Sequence, residues 1–234
     1  MRKRMIWTLA ITCVVVVSNL ANAVETQDPD RWQEVVRKFE AAESVSAPPE
    51  NAIVFTGSSS VVFWSTLQRD MTPLTVINRG FGGSTLRDLN FWLDPLVLKY
   101  KPRAVVVYEG DNDIGEAGLS AEGVLEGFKV LISRIQQRLP ESRVYVLSIK
   151  PSIRRWSMWP EMQRANSLVK SFCEGKAKVT YIDVATSMLD SRGQPRADLF
   201  GPDGLHMNPH GYDIWISALK PTLLANENPS RHTR

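Results

Sequence analysis

Three histidines limit where this chain can do base chemistry: His206, His210 and His232. His232 lies in a polar stretch at the C-terminal end. His206 stands three residues after Asp203, in Gly201-Pro202-Asp203-Gly204-Leu205-His206. A turn there sets a carboxylate beside the imidazole, fixes its tautomer and stabilises the imidazolium. The same aspartate could equally cap the backbone of a surface turn. His210 precedes Gly211 and reads as the border of the last helix. A nucleophile is offered by Ser58, Ser59 or Ser60, all just after the apolar run Ile53–Thr56. Serines there also suit a turn or a helix cap. Val61 occupies the position where a G-x-S-x-G elbow needs glycine, so that signature is absent. Asn112, between Asp111 and Asp113, presents a neutral amide able to face a developing oxyanion. Gly82-Gly83 lets the backbone approach a substrate and offers an N–H as a second donor. A serine, an Asp–His pair and neutral donors are the parts of acyl transfer. Two rivals are weaker. Two carboxylates around an asparagine, with no histidine nearby, make a poor metal site. Gly80-Phe81-Gly82-Gly83-Ser84-Thr85 lacks the third glycine of a dinucleotide-binding loop.

Alternating strands and helices are expected to position these groups. Ile53–Thr56, Leu74–Asn78, Ala104–Glu109, Arg143–Ile149 and Val179–Ile182 are short, apolar and rich in β-branched residues, as in a sheet buried on both faces. Helical patterns run from Thr85 to about Tyr100, Ser120 to Leu139, Glu161 to Glu174 and Gly211 to about Leu224. In the second, Val124, Leu125, Phe128, Leu131, Ile132 and Ile135 recur at helical spacing. The alternation predicts an α/β fold with a parallel sheet. Ligands bind such sheets outside the carboxyl ends of the strands. Ser59, Gly83 and Asn112 each follow a predicted strand and fall at that edge. Asp28-Pro29-Asp30 opens a further helix to about Glu43, ended before Pro48-Pro49 and expected to pack across the sheet.

The ends are read separately. Arg2, Lys3 and Arg4 precede the apolar run Ile6–Val17 and then Ala21-Asn22-Ala23. That is the pattern of a secretory signal peptide cleaved after Ala23, and the run is short for a span of about 30 Å. The expected organisation is a signal peptide at 1–23, a helical extension at 24–50, one domain at 51–225 and a polar tail at 226–234. The product is expected to be exported, periplasmic or secreted, without stable membrane insertion. Residues 1–23 hold three basic and no acidic residues, which leaves 25 Lys and Arg against 25 Asp and Glu. Nothing in that balance favours nucleic acid. Cys173 alone remains after residue 23 and reads as a buried small hydrophobe.

Gly57-Ser58-Ser59, Asn78–Thr85, Gly110-Asp111-Asn112-Asp113 and Asp203–His206 stand in the order of the four sequence blocks of the SGNH (GDSL-like) hydrolase superfamily. The chain resembles that superfamily from about Asn51 to Tyr212. Its members are esterases, lipases, thioesterases and carbohydrate deacetylases. The resemblance implies a three-layer α/β/α, flavodoxin-like fold with a five-stranded parallel sheet, and no metal or organic cofactor. It carries the nucleophile to Ser59, although Ser58 replaces the commonest aspartate. It carries the base and its partner to His206 and Asp203. The oxyanion donors implied are the Ser59 and Gly83 N–H groups and the Asn112 side chain.

The expected substrate is a small-molecule or saccharide ester with a short acyl group, acetyl being one candidate. An acyltransferase at the same site and a non-catalytic carbohydrate-binding relative are the alternatives. Lys150–Pro160 follows the fourth strand at the functional edge. Its Arg154, Arg155, Trp156 and Trp159 either wall a substrate pocket or, for the tryptophans, fill the core and brace a long loop. Oligomeric state is not set by the sequence.

Overall fold

The computed structural model describes residues 28–227; the signal peptide expected at 1–23 and His232 lie outside them. Five parallel strands form one sheet in the order β2-β1-β3-β4-β5. They are β1 (Ile53–Gly57), β2 (Val76–Gly80), β3 (Ala104–Tyr108), β4 (Arg143–Leu147) and β5 (Val179–Ile182). The helices are α1 (Gln33–Val45), α2 (Ser59–Val62), α3 (Leu67–Asp70), α4 (Leu86–Phe91), α5 (Leu93–Leu96), α6 (Asp111–Gly115), α7 (Ala121–Arg138), α8 (Trp159–Cys173) and α9 (Pro209–Glu227).

The strands are apolar on both faces because both faces are covered. Alternate side chains point to opposite sides. Val54, Val105, Val107, Val144 and Val146 join one core with Val124, Phe128, Leu131 and Ile135 of α7, Met162 and Val169 of α8, and Val36 of α1. Ile53, Phe55, Val106, Tyr145 and Leu147 join the other with Val61, Leu67 and the α9 residues Trp215, Leu219 and Leu223. The result is a three-layer α/β/α molecule with the flavodoxin-like strand order.

Local sequence explains most element ends. The Ser120 side chain accepts the Gly123 N–H and starts α7. Asp28 caps a 3₁₀ turn, Pro29–Trp32, that leads into α1. Two expectations shift. The helix read from Thr85 to Tyr100 is split into α4, α5 and a 3₁₀ turn, Leu98–Tyr100. Pro95 has no N–H to continue a helix started at Leu86. The second strand begins at Val76 rather than Leu74, whose N–H is used by a turn to Met71 O. Polar Asn78 and Arg79 then fall inside β2, which is tolerated because β2 is an edge strand. Arg79 meets Glu43 of α1 at 2.8 Å, and Glu43 also meets Lys99 at 2.8 Å. These ion pairs hold the N-terminal helix against the sheet edge.

Candidate active site

At the end of β1, Gly57 lies so close to β3 that a Cβ there would sit 2.0 Å from the Tyr108 carbonyl oxygen, and its φ is +124°. Only glycine fits. The Ser58 N–H then donates to the same carbonyl at 3.1 Å, and the chain turns into α2 at Ser59. Ser58 and Ser60 are 2% and 3% exposed, whereas Ser59 is half-buried. This separates the three serines that residue types alone leave open, in favour of the Ser59 that the resemblance implies. The Ser60 carbonyl accepts the Tyr212 hydroxyl at 3.0 Å, tying α2 to α9.

Ser59 Oγ lies 3.0 Å from His206 Nε2, and His206 Nδ1 lies 2.5 Å from Asp203 Oδ2. With Nδ1–H donating to the carboxylate, Nε2 carries the lone pair that accepts the Ser59 hydroxyl. Asp203 Oδ1 accepts the Leu205 and His206 N–H groups, both at 3.0 Å. Leu205 N–H first, then the His206 ring and N–H, hold the Asp203 carboxyl far below its ordinary value. The Gly201 N–H donates to the His206 carbonyl at 2.8 Å and closes the loop. The Phe63 ring meets the His206 ring edge-on at 4.8 Å. Thus the DxxH turn is the partner of the serine, not merely a capped turn. His210 sits exposed at the start of α9, 3.9 Å from Asp213.

The Gly82-Gly83 turn lies against the serine: a Cβ on Gly82 would come 3.8 Å from Ser59 Cβ. Asn78 shapes this turn, accepting the Gly80 N–H at 2.8 Å and donating to Val61 O at 2.6 Å. The Gly83 carbonyl accepts from Arg31 at 3.2 Å, and Trp32 lies over Gly83. The Ser59 and Gly83 N–H groups make no hydrogen bond to another described residue. Asn112, 6% exposed, donates from Nδ2 to the Ser84 carbonyl at 2.9 Å. An amide nitrogen has two hydrogens, so one remains for a ligand. A hydroxyl activated by an imidazole, with neutral donors beside it, can attack a carbonyl and hold the resulting oxyanion.

Behind this edge lies a buried acidic layer. Asp113 accepts the Leu86 and Gly110 N–H groups at 2.9 Å each; burial nevertheless pushes its carboxyl up to about 6. Glu109 is fully buried and meets the Ser84 hydroxyl at 2.6 Å. Burial, then the neighbouring Asp113 charge, raise it well above its ordinary value. Asp111 pairs with Lys150 at 3.0 Å and Arg155 at 2.6 Å. The Asp111–Asp113 pair therefore serves internal contacts.

The four residues suggested as a pocket wall separate. Arg154 is exposed, and its N–H donates to the Gly204 carbonyl at 3.0 Å, beside the histidine turn. Arg155 does not wall an open pocket: it is 6% exposed and its guanidinium is held by Asp111, Asn112 and Glu116. Trp159 is likewise 6% exposed and belongs to the core. Trp156 stacks on it at 5.9 Å and is only half-buried. Apolar area and charge pairing draw these side chains inward, as the core reading of the tryptophans expects. Sequence reasoning missed Phe63, Arg31, Trp32, Lys150 and Glu109 around the site. A lysine immediately after an apolar strand was the available sign for Lys150.

The fold and this arrangement define a class. The family model for the GDSL-like Lipase/Acylhydrolase family matches residues 42–214. The chain belongs to that family. Among its relatives, platelet-activating factor acetylhydrolase IB subunit alpha1 of Pongo abelii is 30% identical over 206 residues, covering 86% of each chain. A GDSL-like lipase structure from Bacteroides thetaiotaomicron superposes with a TM-score of 0.69 at 19% identity, over 81% of this chain and 97% of that one. The family 3 carbohydrate esterase of Clostridium thermocellum gives 0.59 at 19% identity, over 76% and 98%.

Proposed function

We propose that this protein is a serine esterase that hydrolyses short-chain, chiefly acetyl, esters through a covalent acyl-enzyme. The observation that carries the reading is the continuous path from Ser59 Oγ through His206 to Asp203, at 3.0 and 2.5 Å. Ser59 Oγ attacks the ester carbonyl carbon as its proton passes to His206 Nε2. Asp203 stabilises the imidazolium but takes no proton. The carbonyl oxygen becomes an oxyanion received by the Ser59 and Gly83 N–H groups and the Asn112 amide. Its collapse breaks the bond to the alkoxide, which leaves with the proton from His206. Water, deprotonated by His206, attacks the acyl carbon; the Ser59 Oγ–acyl bond then breaks, Ser59 takes the proton back from His206 Nε2, and the acid is released.

The acetyl preference rests on the acetylhydrolase relatives and the family membership. The exposed Phe63 beside His206, with Ile153 and Arg154 near Gly204, is suited to the leaving-group side. A saccharide leaving group fits that rim, since an aromatic face packs against a sugar ring. The test is acid release from acetyl, butyryl and octanoyl p-nitrophenyl esters and from an acetylated xylooligosaccharide. Acetyl esters should turn over fastest, and Ser59→Ala should abolish turnover. Faster octanoyl hydrolysis overturns the acyl assignment; a fully active Ser59→Ala enzyme overturns the mechanism. The leader pattern supports export, so the mature N-terminus should begin at Val24. An intact leader on the accumulated protein contradicts that.

A further inference from the structure

We propose that Arg155 is a positioning residue for the reaction: it locks the Asn112 carboxamide with its nitrogen turned to the oxyanion. This rests on the esterase reading above and assigns a role within that same site.

Two guanidinium nitrogens of Arg155 both donate to Asn112 Oδ1 at 3.1 Å. On the other side, Asn112 Nδ2 donates to the Ser84 carbonyl at 2.9 Å. Rotating the amide by half a turn would set NH₂ against the guanidinium and oxygen against a carbonyl. Both contacts would then be repulsive, so one orientation survives. The second Nδ2 hydrogen is thereby fixed in direction. Its carbonyl is also polarised by a cation, which strengthens the amide as a donor.

The guanidinium is itself held from several sides. It meets Asp111 Oδ1 at 2.6 Å, the Asp111 carbonyl at 3.0 Å and Glu116 Oε1 at 2.5 Å. Asp111 is held in turn by Lys150 at 3.0 Å and the Tyr108 hydroxyl at 3.1 Å. Gly115 makes room for it: a Cβ there would lie 2.4 Å from Arg155 Nε. The Arg155 N–H donates to Ser152 Oγ at 3.2 Å, which anchors the loop that delivers the side chain. A side chain 6% exposed and so paired cannot serve as a free anion receptor. Its remaining action is on Asn112. Preorganised donors of this kind cost no reorganisation as charge develops.

The experiment measures kcat and KM with p-nitrophenyl acetate, and thermal melting, for Ser59→Ala, Asn112→Ala, Arg155→Met, Arg155→Lys and the Asn112→Ala/Arg155→Met double variant. Arg155→Met should lower kcat by about 10- to 100-fold with KM within about twofold, as expected of a contact realised in the transition state. Arg155→Lys keeps a charge but not the planar fork, and should also lose at least about tenfold. In the Asn112→Ala background, Arg155→Met should lower kcat by less than about twofold, because the group it positions is gone. A merely structural arginine would lower kcat equally in both backgrounds, and that additivity overturns the proposal. Near wild-type kcat in Arg155→Lys or Arg155→Met also overturns it. Should Arg155→Met fail to fold, Gly115→Ala displaces the guanidinium while keeping it; the same kcat loss, absent in the Asn112→Ala background, supports the proposal and its absence overturns it. An active Ser59→Ala enzyme marks instead the failure of the esterase reading itself.

Discussion

An unassisted serine hydroxyl is a weak nucleophile, so the choice among Ser58, Ser59 and Ser60 depends on which one reaches a base. Only Ser59 does, at 3.0 Å from His206 Nε2. The sequence supplied the candidates, because glycine, asparagine and histidine are conspicuous near strand ends. The family resemblance pointed to Ser59, but the physical reason for excluding Ser58 and Ser60 is their burial against β3 and α9. The sequence did not reveal Arg155 beneath Asn112, because a basic residue in a tryptophan-rich loop reads equally well as a pocket wall. At this scale, Asn112→Ala should reduce kcat by about 10²–10³-fold, the cost of one oxyanion donor. Steady-state hydrolysis of p-nitrophenyl acetate by a folded variant checks this, and a drop of less than about threefold contradicts it.

Elements place the residues, and their short connections carry the chemistry. β1, β2 and β3 end at Gly57, Gly80 and Tyr108 in register, which brings Ser59, Gly83 and Asn112 to one edge. The strands were legible because both-face burial leaves continuous apolar runs; β2 was offset because the Leu74 N–H is taken by the turn to Met71 O and an edge strand admits Arg79 at its far end. The break after α4 was obscured by an apolar pattern that persists across Pro95. Asp113 is the joint between α4 and α6, accepting from Leu86 and Gly110. Its carboxyl is pushed up to about 6 by burial, against an ordinary 3.8. A folded value above the unfolded one means that the folded chain binds the proton more tightly. The resulting stabilisation is fully present below about pH 4 and is lost as pH rises through about 6. The stability advantage of the wild type over Asp113→Asn should therefore be greatest near pH 4 and shrink by pH 7. Urea unfolding at both pH values tests this; an advantage that grows with pH contradicts it.

Across the whole molecule, the sheet separates two apolar layers that both support the edge where the site lies. Leu131 of α7 and Leu219 of α9 are fully buried on opposite faces. Leu131→Ala and Leu219→Ala should each cost about 2–5 kcal/mol, from lost burial and the cavity left behind. Both should keep near wild-type kcat while folded, because neither touches the serine, the histidine turn or Asn112. Denaturant midpoints and kcat on the same samples decide this; a large kcat loss without destabilisation contradicts it. The parallel α/β plan was readable from alternation alone, since strand and helix periods differ. How the N-terminal helix meets the sheet was not, because the Glu43 contacts with Arg79 and Lys99 join residues distant in sequence.

The proposed reaction requires Ser59 to be an activated nucleophile. Intact-mass analysis of the folded protein after reaction with a fluorophosphonate, with Ser59→Ala treated in parallel, tests it most directly. One adduct is expected on the wild type, mapped to Ser59, and none on the variant. An adduct that persists in Ser59→Ala, or a folded wild type that takes none, contradicts it.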